Sequence, residues 1–198
     1  MKITAFHGTK NKFNKFELGR IISNPIYGGN IDNGLGIFFT DNLTMAKWFA
    51  QAVEYSCDDN KYIDTGNKAY LITAELILNK PLEFKNENGK FDDSYQQYFE
   101  FIEKIGGVGI CHEKLLSAGY DSIIIYNADT NYYENGTYDA YVMLTTENIK
   151  IISNIELNTN KNLNQQANTN GELYTTETYS PESKIDYKPT INSVPLSY

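Results

Sequence analysis

Gly34-Leu35-Gly36-Ile37-Phe38-Phe39-Thr40-Asp41 is the stretch on which the fold turns. It is an apolar run of strand length, punctuated by glycine, and it ends on Asp41, a side chain suited to capping a helix N-terminus. Beyond it Ala46, Phe49, Ala50 and Val53 recur at i, i+3, i+4 and i+7, the spacing of a helix with one buried face. The unit is therefore a strand running into a helix. Upstream, residues 11–33 are polar and glycine-rich with Phe13 and Phe16 as apolar anchors, and they read as one long loop, a length that often carries function. Before that loop, residues 2–6 read as a short strand with His7-Gly8-Thr9 at its end, where the glycine permits a tight backbone course.

Working downstream, residues 70–78 alternate Tyr70, Ile72, Ala74, Leu76 and Leu78 against Thr73 and Glu75, which predicts a strand with one buried face stopped by Pro81. Residues 94–105 predict a helix anchored by Tyr95, Tyr98, Phe99 and Ile102, and Gly106-Gly107 breaks it. A shorter helix over 111–118 is capped by Gly119. Strands follow at 122–126, 138–144 and 149–152, with a polar excursion over 127–136. Strands and helices mix without a repeating βαβ rhythm, so the expected class is α+β.

Past Glu156 the apolar period stops, asparagines alternate with other polar residues, and Pro181, Pro189 and Pro195 follow. We expect one domain over 1–155 and a disordered polar tail over 156–198, whose Tyr174, Tyr179, Tyr187 and Tyr198 offer contacts to a partner. With 41% hydrophobic and 14% aromatic residues the chain has the material for a packed core. A net charge of −8 argues against broad attraction to nucleic acid or anionic lipid, and no stretch reaches the roughly 20 apolar residues of a membrane span. No secretory signal is legible at the N-terminus, and two cysteines make no disulfide framework, so the expected compartment is cytoplasm.

Several chemistries fall away on spacing alone. Cys57, Cys111, His7 and His112 are too few and too scattered for a structural zinc site, so no metal is expected. Cys111-His112 reads as a partly buried cysteine beside a surface histidine, because neighbours on a helix do not face each other. No phosphate loop ends in Gly-Lys-Ser or Gly-Lys-Thr, and Gly34-Leu35-Gly36 lacks the third glycine of a dinucleotide fingerprint. Gly106-Gly107-Val108-Gly109 reads as a turn between helices.

What remains is a set of short motifs in order: Phe6-His7-Gly8-Thr9, the run from Gly34 to Asp41, Pro81-Leu82, Gly119-Tyr120-Asp121 before Ile123-Ile124-Ile125, and Tyr141-Val142-Met143-Leu144 before Asn148-Ile149-Lys150. Together they resemble the ADP-ribosyltransferase domains of phage and mobile-element polyvalent proteins, which are similar to the poly(ADP-ribose) polymerase and diphtheria-toxin branch. The resemblance implies a split antiparallel β-sheet with a few short helices, and NAD as substrate. It implies that His7 bonds the nicotinamide-ribose hydroxyl, that the Gly8 backbone holds the carboxamide and that Thr9 supports the adenosine side. Gly34 and Gly36 belong to the same cofactor-binding run. The family's stacking tyrosine falls at Phe38 and a second aromatic at Phe49; stacking needs a π-face, so phenylalanine serves. Arg20, in the long loop, is placed to pair with the pyrophosphate.

Two family positions depart from the pattern. A carboxamide-facing hydroxyl on the helix is replaced by Ala46, and the family glutamate, which stabilises charge as nicotinamide leaves, is replaced by Ala140. Losing such electrostatic stabilisation typically costs several kcal/mol. Asp139 substitutes only if a bulge turns it inward, Glu134 and Glu147 are further candidates, and a site with no catalytic acid stays open. The resemblance thus implies mono-ADP-ribosylation, a glycosyl transfer, of an acceptor that the acidity of the chain makes protein sooner than nucleic acid, inside a host cell or after delivery with a virion. A catalytically silent module that binds NAD, ADP-ribose or a protein partner is the alternative.

Overall fold

The computed structural model describes residues 1–18, 35–56, 58–59, 61–85, 93–128 and 138–157. Arg20, Gly34, Cys57, Glu134 and the expected tail from residue 158 onward lie outside the described residues.

The α+β class is what the chain adopts, with a seven-stranded mixed sheet, a two-stranded sheet and three helices among the described residues. In chain order the elements are β1 Lys2–Thr9, β2 Ile37–Thr40, α1 Leu43–Phe49, β3 Val53–Ser56, β4 Lys61–Asp64, β5 Ala69–Ile77, β6 Pro81–Phe84, α2 Asp93–Ile105, α3 Val108–Ser117, β7 Ser122–Ile125, β8 Ala140–Met143 and β9 Ile149–Leu157. The large sheet runs β6-β7-β8-β2-β1-β5-β9, and β3 pairs with β4. All its pairings are antiparallel except β6 with β7, which are parallel and joined through α2 and α3, as a same-sheet parallel connection requires.

The apolar runs are apolar because the sheet is covered on both sides. Leu35, Met45, Tyr98, Ile102, Cys111, Leu115, Ile123, Ile125, Ala140 and Val142 form one core under the helices. Ala5, Phe16, Ile37, Phe39, Ile72, Ala74, Leu76, Ile124, Tyr141 and Met143 form the other. Strand parity sorts Ile123 and Ile125 from Ile124, and Phe39 from Phe38, which packs on the helical side. The anchors Phe13 and Phe16 do close one core, with Phe16 buried.

Several local expectations are corrected. The helix cap is Asn42, whose Oδ1 accepts from the backbone N–H groups of Thr44 (2.9 Å) and Met45 (3.1 Å), and not Asp41. The helix ends at Phe49, so Val53 opens β3 instead of extending the apolar face. With seven residues, α1 depends on its cap: Asn42→Ala is expected to cost about 1 kcal/mol in urea unfolding. Strand β1 runs on through His7 to Thr9, pairing His7 with Ile72, so the histidine lies within a strand. Val108 and Gly109 are helical, with Gly107 (φ 95°) as the N-cap of α3. His112 is buried, its Nδ1 2.6 Å from the Leu35 carbonyl oxygen, because α3 turns it under the sheet. Strand β9 continues through Glu156 and Leu157.

Asp121, from the Gly119-Tyr120-Asp121 motif, is a joint. Its carboxylate accepts from the backbone N–H groups of Asn79 (2.8 Å) and Lys80 (3.1 Å), and also from Asn148 Nδ2 (3.2 Å). Burial pushes its pKa up, but the Asn79 and Lys80 backbone donors, with the Ser122 hydroxyl and the Asn79 side chain, outweigh that and hold it below the ordinary value.

Candidate active site

The site is made by a divergence. Strands β1 and β2 pair only at Phe6 and Thr40, and beyond that point the side of β1 facing β2 has no strand partner among the described residues. Where the strands part, a cleft of about 880 Å³ opens, within the range of small-molecule sites. Its walls come from the end of β1, from β2, from α1, from the β3–β4 hairpin and from the tyrosines Tyr95 and Tyr138.

His7 spans the parting strands. Its Nδ1 lies 2.7 Å from the Phe38 carbonyl oxygen, and since a carbonyl only accepts, Nδ1 carries the proton. In the neutral ring Nε2 is then left as an acceptor. Phe16, Phe39 and Phe13 surround the imidazole with ring centroids 5.2, 5.5 and 6.1 Å away. This burial lowers the His7 pKa, opposed by the bond to the Phe38 carbonyl, so the ring is neutral at neutral pH.

Gly8 is required by a close approach. A Cβ built on it would stand 1.7 Å from the Ala46 carbonyl oxygen and 3.0 Å from Ala50 Cβ, so β1 lies directly on the α1 backbone. That corrects the tight-course reading of this glycine, which follows an ordinary strand path. Ala46 is fully buried beneath it. Phe38 and Phe49 both line the cleft, Phe38 6.5 Å from the Tyr98 ring and Phe49 5.2 Å from Trp48, with Phe49 half exposed. Thr9 lines it as well, its hydroxyl accepting from Asn11 N–H at 3.2 Å.

Other expected residues are elsewhere. Gly36 is outside the cleft; a Cβ there would meet the Met143 carbonyl at 2.5 Å, so it lets β8 approach β2. The β2–β8 register runs without a bulge from Ile37–Met143 to Thr40–Ala140, so Asp139 is not turned inward. Strand parity gives the cleft Tyr138 and Ala140, and Asp139 bonds Asp41 and Asn127 instead. Glu147 sits in the turn before β9, whose Ile149 pairs with Leu76, four residues along β5 from the partner of His7. At about 3.3 Å per residue that offset along β5 alone is roughly 13 Å. Ala140 itself is buried in the cleft wall opposite Thr40.

Asp41 and Asp139 form a clamp beside the site: Asp139 N–H donates to Asp41 Oδ1 at 2.9 Å, and Asp41 N–H to the Asp139 carbonyl at 3.3 Å. Burial raises both carboxyl pKa values, and the like charge of Asp139 adds to the rise at Asp41. A raised folded pKa means that the stabilising contribution is present in acid and lost as pH climbs through that value. At neutral pH the pair therefore destabilises the fold, and Asp139→Asn, which keeps an acceptor for Asn127, is expected to raise Tm at pH 7. The gain should vanish in acid; thermal melts across pH check both.

Trp48, Gln51, Glu54, Thr65, Asn67, Tyr95 and Tyr138 are cleft residues that sequence reasoning missed as site residues. The only signal was an aromatic beside Phe49; Gln51 arrives by the turn after α1, Glu54, Thr65 and Asn67 by the β3–β4 hairpin and the residues after it, Tyr95 by α2 and Tyr138 by the residues before β8, and their positions depend on packing.

Among curated proteins none matches the chain. A family model described as ADP-ribosyltransferase in polyvalent proteins matches residues 1–159. Together with the split at β1 and β2 and the cleft it opens, that match decides the assignment: the chain belongs to the ADP-ribosyltransferase family of polyvalent proteins.

Proposed function

We propose that this domain transfers a single ADP-ribose from NAD to a macromolecular acceptor, and that the acceptor is a protein. The observation that carries the reading is the convergence of His7, Gly8, Phe38 and Phe49 on one cleft. The aromatic walls supply faces for the nicotinamide ring. The unpartnered side of β1 supplies backbone groups for its carboxamide, and Nε2 of a neutral His7 supplies an acceptor for a ribose hydroxyl. The net charge of −8 disfavours a nucleic-acid acceptor. Association with phage or mobile elements belongs to the same proposal.

The test is incubation of the full chain with NAD labelled in the adenylate half, with and without cell lysate, following label on protein and free nicotinamide. Label on protein with matching nicotinamide supports the transferase. Ala140 favours a second reading, a module that binds NAD or ADP-ribose without turnover. Calorimetric binding of NAD with no nicotinamide released would establish that module, and no binding would remove both.

A further inference from the structure

Among the described residues lining the cleft there is a single carboxylate, and it is on neither β8 nor the turns beside it: it is Glu54, the second residue of β3. Its position is the product of a built turn. After α1, Gln51 takes a left-handed conformation (φ 57°), which a non-glycine residue adopts only when its surroundings hold it there. Here they do. The Gln51 N–H donates to the Trp48 carbonyl (2.8 Å) and the Ala52 N–H to the Lys47 carbonyl (2.9 Å). The Gln51 carbonyl accepts from the Thr65 hydroxyl (2.7 Å) and from Asn67 Nδ2 (3.1 Å). The turn sends β3 back along the cleft, so that Gln51, Val53 and Glu54 wall the same space as His7 and Phe38.

Among the described residues Glu54 is also unengaged. It is exposed, its cross-strand neighbour is the apolar Ile63, and among the described residues no side chain pairs with it.

Resting on the transferase reading above, we infer that Glu54 is the catalytic carboxylate of this cleft, supplied by β3 where the sheet offers Ala140. In the transfer, the bond between ribose C1′ and the nicotinamide nitrogen breaks with its electron pair leaving on neutral nicotinamide. The acceptor X–H forms the new C1′–X bond with a lone pair. Glu54 faces the positive charge that develops on the ribose, takes the proton of X–H and passes it to solvent, so that NAD and acceptor give ADP-ribosyl acceptor, nicotinamide and one proton.

The test compares wild type, Glu54→Gln, Glu54→Asp and Glu147→Gln as full chains, measuring NAD affinity by calorimetry and nicotinamide release under saturating NAD. Glu54→Gln is expected to lower release by about 100-fold or more, with affinity within about threefold of wild type. Glu54→Asp should restore part of the loss, and Glu147→Gln should match wild type. If wild type turns over and Glu54→Gln stays within about threefold of it, the assignment of Glu54 is overturned while the transferase stands. If wild type binds NAD and releases nothing, the transferase reading fails first and this inference with it.

Discussion

Gly8→Ala is expected to be the most damaging single-methyl change in the domain, costing about 3 kcal/mol of stability, at the upper end of what overpacking does. The added Cβ would meet the Ala46 carbonyl at 1.7 Å, and that oxygen is backbone, already accepting the Ala50 N–H at 3.1 Å. No rotamer change relieves such a clash. Either β1 lifts off α1 or the last turn of the helix breaks, and both widen the floor of the cleft, so on the transferase proposal NAD affinity should fall with stability. Urea unfolding beside an NAD titration reads both effects, with Thr9→Ala on the same strand as the control, expected to change stability by under about 1 kcal/mol. A Gly8→Ala protein as stable as that control would mean that β1 and α1 do not touch in this way.

The second large effect is expected at His7. Replacing it by alanine removes the bond to the Phe38 carbonyl and leaves space among Phe13, Phe16 and Phe39, for a loss of about 2–4 kcal/mol. The pH dependence identifies the cause. Burial lowers the pKa of this imidazole in the fold, so the unfolded chain binds its proton more readily, and the contribution is present above the ordinary value of 6.5 and lost as pH falls through the folded value. Wild type should therefore lose stability below pH 6.5 more steeply than His7→Ala does. Parallel stability curves would show that the imidazole is solvated. His7→Asn, which keeps a donor for the Phe38 carbonyl, should recover part of the stability while nicotinamide release stays reduced, separating the role of Nδ1 from that of Nε2.

Some of this was written plainly along the chain. The strands read over 70–78, which alternates, and 122–126, which is wholly apolar, form β5 and β7, and the helix read over 94–105 through Tyr95, Tyr98, Phe99 and Ile102 forms α2. Strands β3, β4 and β6 were silent. Each is four residues long, and Lys61-Tyr62-Ile63-Asp64 has polar ends and is too short to show a period, so only pairing makes it a strand. His112 misled for a related reason: sequence gives a helix position, and what covers that position comes from another element, here Leu35.

The sequence by itself determined the α+β class, the chain order of the main strands and the wholly apolar character of β7, because periodicity and short motifs are local properties, and a family resemblance carried by short motifs put His7, Gly8, Phe38 and Phe49 forward as candidates. Only the tertiary structure decided which acidic residue faces the cleft. An unbroken β2–β8 register turns Asp139 away, and the left-handed turn at Gln51 brings Glu54 in. The physical reason is that a side chain's direction is fixed by strand register and by the turns between elements, and both are settled by partners distant in the chain.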